Sequence, residues 1–145
     1  MSSCRRHRIA SLVFRLVAII ILGQTLFFKF TAAPESVYIF STLGVEPWGR
    51  ILAGISELIA CVLLAIPRTA GVGAILALGI ISGAIMSHLT KLGIVVQDDG
   101  GLLFILALTV FAASAIVLML ERANLPIVGK FFAPQVCEFT PRESS

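Results

Sequence analysis

Glu57 lies inside an apolar run, Gly49 to Ile66, and a carboxylate there needs a partner. Facing lipid, it would cost on the order of 3 kcal/mol even on the permissive insertion scale. It must therefore turn inward and be paired, hydrogen-bonded or protonated. Gln24, Lys29 and His88 also interrupt or end apolar runs, and Arg50 opens the run that holds Glu57. Together these side chains offer hydrogen bonding, charge pairing and proton exchange. Nucleophilic, phosphate-loop or metal chemistry has no matching pattern: there is no triad, no Gly-rich phosphate loop and no metal-ligand spacing. The second histidine, His7, lies in the basic N-terminal segment, so a two-histidine haem site is hard to build.

Spacing indicates which of these groups face one another. Arg50, Gly54, Glu57 and Cys61 follow a four-three-four pattern and share one helical stripe. Thr25 and Lys29 share a stripe of the preceding helix, while Gln24 is rotated from Lys29 by roughly 140° at 100° per residue. Lys29, Arg50 and His88 are all candidate partners for Glu57. Two readings stay open. A Glu57 bridge to Lys29 or Arg50 locks two helices together, or the cluster forms a polar pocket that binds or processes a ligand, since intramembrane ionisable groups are functional candidates by default. His88 alone reads as an interfacial residue, and beside Glu57 it becomes a proton or carbonyl partner.

The elements that must position these residues follow from composition. The chain has 145 residues, 58% hydrophobic and 13% charged, with a mean hydropathy of +1.02. That is well beyond the roughly half-apolar composition of soluble domains. Apolar runs cover residues 9–30, 49–66, 70–87 and 102–120. At 1.5 Å per residue, about 18–22 residues reach roughly 27–33 Å, the thickness of the hydrocarbon core. Only helices satisfy the backbone of separate spans in lipid. The expected fold is therefore all-α, an integral membrane four-helix bundle. Its parts are a basic cytoplasmic N-terminus (1–8), a four-span domain (9–120) and a cytoplasmic C-terminal tail (121–145).

The first run resembles a signal peptide, but Arg15 interrupts it, it is long for a signal core, and Pro34 would directly follow a cut after Ala33. It reads as an uncleaved anchor. With the N-terminus inside, Arg5, Arg6, Arg8, Arg68, Arg122, Lys130 and Arg142 are cytoplasmic, whereas Arg50 and Lys91 lie outside and Lys29 at the outer boundary. This favours an N-in, C-in arrangement. It places Gln24 and Glu57 roughly 9–12 Å below the outer edge, with Lys29 and His88 within about one turn of it. Arg15 is expected to snorkel toward the cytoplasmic headgroups. The same asymmetry accounts for the net charge of +3 without a nucleic-acid partner, for which no basic run with interleaved aromatics exists. Cys4, Cys61 and Cys137 are too dispersed to form a dithiol motif.

Pro67-Arg68-Thr69 makes a tight turn that sets helices two and three antiparallel. Between residues 31 and 48, Pro34 can open and Gly44 close a short helix, expected to lie in the outer membrane interface with Tyr38 and Trp48 at headgroup depth. An aspartate of Asp98-Asp99 can cap helix four. Gly79, Gly83 and Ser87, at four-residue spacing on helix three, predict close helix packing, inside the bundle in the favoured reading and against a second copy of the chain in the alternative.

One combination of residues resembles the DoxX family of small four-helix membrane proteins. It comprises Gly23-Gln24-Thr25-Leu26-Phe27-Phe28-Lys29-Phe30, a loop with Gly44, Pro47 and Trp48, Gly54-Ile55-Ser56-Glu57-Leu58, and His88 late in helix three. The resemblance covers roughly residues 11–120. It implies the four-helix fold and an association with quinone-linked oxidation of reduced sulfur compounds or with membrane oxidoreductase complexes. The expected site is an outer-half pocket of Gln24, Lys29, Arg50, Glu57 and His88 that holds a quinone or similar amphipathic ligand, its tail against Phe27 and Phe28. The expected location is the bacterial inner (plasma) membrane. The sequence assigns no catalytic residue and leaves open whether the protein is an enzyme. The alternative is a non-catalytic anchor or assembly subunit of a larger complex, engaged through helix three or the tail. A transporter is a third reading, against which the lack of an internal repeat weighs.

Overall fold

The computed structural model describes residues 2–121, with side chains from residue 5. Helix α1 spans Ser2–Phe30, α2 Pro34–Leu43, α3 Trp48–Ala65, α4 Ala70–Ser87 and α5 Leu102–Glu121; α4 runs on into a π-helical turn, His88–Leu92. No strand occurs among the described residues. Four helices are long and apolar enough to cross a membrane, over Arg5–Phe30, Trp48–Ala65, Ala70–Leu92 and Leu102–Glu121, and the chain is a multi-pass membrane protein. The boundaries follow the expected runs except at the start. There the helix extends back through the arginines, because hydropathy marks where the chain turns apolar and arginine is a good helix former. Residues 122–145, with Arg122, Lys130, Arg142 and Cys137, lie outside the described residues, as does the side chain of Cys4.

The four long helices form a ring in which α1 packs against α3 and α5, and α4 against the same two. Its interior is built largely from small residues: Ala18, Ala60, Ala70, Ala74, Ala77, Ala107 and Ala113 are buried, with Leu22, Leu64, Val110 and Val117 among the few larger ones. Large side chains point outward instead, among them Ile9, Leu12, Ile20, Leu52, Ile75, Leu108 and Met119. This inversion suits a bilayer, where the hydrophobic effect does not drive helices together and close backbone contact does.

Gly73 provides the tightest such contact. A β-carbon there would lie 2.7 Å from the Leu64 backbone nitrogen, so glycine lets α3 and α4 meet just after their turn. The close packing expected at Gly79 and Gly83 is not found. A β-carbon at either would meet nothing within 4 Å, because both glycines lie on an exposed face of α4.

Two buried arginines tie α1 to α3, one at each end of the pair. Arg15 donates from Nε to the Leu64 carbonyl at 2.5 Å and from Nη2 to the Ala65 carbonyl at 2.7 Å. Arg50 donates from Nη1 to the Lys29 carbonyl and from Nε to Glu46 Oε1 at 2.8 Å. Each guanidinium satisfies carbonyls left open at the C-terminus of the neighbouring helix, where a positive charge is favoured. Arg15 therefore does not snorkel; it is 6% exposed and caps α3.

Pro34 opens α2, and Gly44, at φ 78°, closes it in the left-handed conformation with its N–H directed to the carbonyls of Phe40 and Ser41. The short helix predicted from these two residues is thus present. At the other connection of the same end, Asp99 caps α5. Its Oδ1 accepts from the amides of Val96 and Gly101, both at 2.9 Å, and its Oδ2 from Leu103 at 3.0 Å.

Candidate functional site

The last two turns of α1 carry Gln24, Thr25, Phe28 and Lys29, and α3 faces them with Glu57. Glu57 is 4% exposed. Lys29 Nζ donates to both of its oxygens, at 2.9 Å to Oε1 and 3.0 Å to Oε2. The Thr25 hydroxyl lies 3.0 Å from Oε2 and 2.8 Å from the Leu22 carbonyl, so its single proton is shared between two acceptors. The i, i+4 spacing of Thr25 and Lys29 is what lets one carboxylate engage both. Gly54 contributes by absence, since a β-carbon there would come within 3.2 Å of the Phe30 ring.

Beside this cluster lies a cavity of about 560 Å³ at the α2 end of the bundle. This falls within the roughly 300–1,000 Å³ range of ligand pockets. Gln24, Thr25, Lys29, Glu57 and His88 line it, together with Glu35 and Ser36 of α2, Ser87 and Asp99. Its remaining wall is apolar, including Phe28, Ile39, Phe40, Ile80, Ile81, Leu103 and Leu106. α2 lies against α1, α3 and the π turn, and so contributes its own residues to one side of the space.

His88 opens the π turn and is 6% exposed. Its Nδ1 lies 2.9 Å from the Gly93 carbonyl. Since a carbonyl only accepts, Nδ1 carries the proton in that bond and Nε2 is the acceptor of the neutral ring. The Phe104 ring stands edge-on to it, with centroids 5.7 Å apart. Nearby, Asp99 feels opposing influences: desolvation pushes its carboxyl up. The amides of Leu103, Val96 and Gly101, with the charge of His88, outweigh that and hold it below its ordinary range.

Comparison with protein-family models, curated proteins and solved structures finds no match. The site's own geometry thus carries the functional argument. Of the five residues expected in the pocket, Gln24, Lys29, Glu57 and His88 border the cavity, and Lys29 is the partner Glu57 selects. Arg50 does not border it and does not pair with Glu57; it is turned toward Glu46 and the end of α1. It acts on the site by fixing the helix end that carries Lys29. Gln24 and Lys29, though rotated apart on α1, both reach the lining because the cavity is wide. Phe28 borders it and Phe27 does not.

Five polar lining residues, Thr25, Glu35, Ser36, Ser87 and Asp99, were not read as site residues. Thr25 was legible from its spacing to Lys29, whereas Ser36 and Asp99 required the fold, because nothing local shows that α2 and the α4–α5 loop close over one space. Among the described residues, no three His, Cys, Asp or Glu side chains group as metal ligands. A second, more open groove between α1 and α5, bordered by Phe14, Val17, Ile105 and Ala112, has Thr109 as its one polar residue, and that hydroxyl bonds the Ile105 carbonyl.

Proposed function

We propose that the cavity binds a quinone or similar amphipathic molecule, and that the protein serves a membrane oxidoreductase system. The observation that carries this reading is an apolar space of about 560 Å³ with the Lys29–Glu57 pair, Gln24 and His88 on its wall. A polar head would meet Lys29, which retains one proton beyond the two directed at Glu57 and can donate it to a ligand oxygen, with His88 on the same wall. An isoprenoid or alkyl tail would lie against Phe28, Ile80 and Leu106. A bound quinone would supply two-electron chemistry. The chain's own contribution is to hold and orient the head and to keep bulk water away. The resemblance to DoxX proteins in the α1, α3 and His88 residues supports the same class of ligand.

Within this reading the N-terminus and the α3–α4 turn are cytoplasmic, α2 lies in the outer interface, and the membrane is the bacterial inner membrane. The distribution of Arg5, Arg6, Arg8 and Arg68 against Arg50 and Lys91, with Lys29 at the outer boundary, supports that orientation.

Native mass spectrometry with lipid extraction, on protein purified gently from its own membranes, tests the proposal. A co-purifying quinone or isoprenoid that is lost in Glu57→Gln and His88→Ala supports it. Bulk lipid alone, with both variants folded, would favour an anchor or assembly subunit instead.

A further inference from the structure

The cavity lining carries one cation, Lys29, against three carboxylates, Glu35, Glu57 and Asp99. Lys29 is already matched by Glu57 at 2.9 Å, so a carboxylate or phosphate head group would enter a field that opposes it. The net sign of the lining therefore disfavours an anionic head.

His88 narrows the class further. The Gly93 carbonyl fixes a proton on Nδ1, so whenever the ring is neutral its Nε2 presents a lone pair and no proton. No described residue hydrogen-bonds Nε2, and it is not among the fully enclosed unpartnered atoms, which are Glu46 Oε2 and Ser114 Oγ. Nε2 thus keeps accessible surface, and the space that His88 borders is the cavity. A ligand carbonyl or ether set against Nε2 would oppose one acceptor with another. A ligand hydroxyl would complete the pair.

We propose that the cavity selects an amphiphile whose polar end is a hydroxyl rather than an anion, such as a phenol, hydroquinone or long-chain alcohol, and that His88 Nε2 accepts the hydrogen bond from that hydroxyl. This rests on the reading of the cavity as a ligand site and adds the head-group chemistry it takes. Lys29 still offers a donor to any ligand oxygen, so an acceptor-only analogue enters with reduced affinity rather than being shut out. Selectivity lies in the hydroxyl proton.

The test uses the full chain in phosphatidylcholine nanodiscs and three probes with the same alkyl tail: 4-nonylphenol, its methyl ether 4-nonylanisole, and 4-nonylbenzoate. Binding above that of Gly83→Leu counts as specific, since Gly83 borders the cavity with free space where a side chain would go. The expected result is about a tenfold preference for the phenol over the ether, as for one hydrogen bond in a dry site, with the benzoate weaker than both. In His88→Asn the side-chain amide can keep the bond to the Gly93 carbonyl while the Nε2 acceptor is gone. The phenol should then fall to within about twofold of the ether. Equal binding of phenol and ether to wild type, tighter binding of the benzoate, or a preference that survives in His88→Asn overturns the proposal while leaving the ligand-site reading standing. No specific binding of any probe overturns both. Where His88→Asn fails to fold, equal binding of phenol and ether to wild type still overturns the proposal, and His88→Gln serves as the second variant.

Discussion

Lys29 and Glu57 sit at the junction of α1, α3 and the cavity, with side chains 14% and 5% exposed. Removing one partner of such a pair leaves the other charge buried, which costs about 3–5 kcal/mol; the residual exposure of Lys29 places the effect toward the lower end. Lys29→Met is therefore expected to destabilise the protein markedly, and the double variant Lys29→Met/Glu57→Gln to recover most of the loss, as read by denaturant titration in micelles. A double variant no more stable than Lys29→Met would show that the pair is not the element at stake. Asp99 gives a pH-dependent counterpart. Its folded-state pKa is depressed, so its contribution is fully present above the unfolded value and fades as pH falls through the lower, folded one. Asp99→Asn should reduce stability at neutral pH and flatten the acid limb of the stability profile; a limb unchanged in the variant would assign acid sensitivity elsewhere.

At the scale of elements, helix pairing depends on a few positions where backbone approach or carbonyl capping is decided. Gly73 and Gly79 form a matched pair on α4. Gly73→Ala places a methyl 2.7 Å from the Leu64 nitrogen, and the forced separation of α3 and α4 should cost about 1–3 kcal/mol. Gly79→Ala meets nothing and should be neutral or stabilising by up to about 1 kcal/mol through helix propensity. Equal effects in thermal unfolding would refute the assignment of the contact. Arg15→Met removes two charge-assisted bonds to the end of α3 and should destabilise by about 2 kcal/mol or more. Arg15→Lys should recover only part of this, because an ammonium does not reproduce the guanidinium fork.

The whole molecule is a ring of four helices with small residues inside, large apolar ones outside and a polar space toward one end. An even number of crossings puts Ser11 and Arg68 on one side and Glu35 and Asp98 on the other. Single cysteines at Arg68 and Asp98, introduced after Cys4, Cys61 and Cys137 are replaced, should react with an impermeant maleimide from opposite faces of sealed vesicles. Labelling of both from the same face would rule out the four-span topology; which face labels Arg68 tests the N-in orientation.

The helices were legible in the sequence because each bilayer span needs a continuous apolar run of one length, and chain-local composition reports it. The α2 helix was legible from Pro34 and Gly44 for an equally local reason, their fixed backbone preferences. The inward face of α3 was readable as well, since Arg50, Gly54, Glu57 and Cys61 are all buried. Partner choice was not. Lys29 and Arg50 were equal candidates for Glu57 until the crossing of α1 and α3 brought one to the carboxylate and turned the other to a helix end. The glycine stripe misled for the same reason: spacing shows that a face is small but not which way it points, and Gly79 and Gly83 are exposed. A cavity is a volume left between elements, so its existence, its closure by α2 and the orientation of His88 through Gly93 are properties of packing across residues distant in the chain. The sequence by itself determined that polar groups must gather inside a four-span bundle, because lipid leaves them nowhere else to go; only the tertiary structure decided which of them meet and what space they enclose.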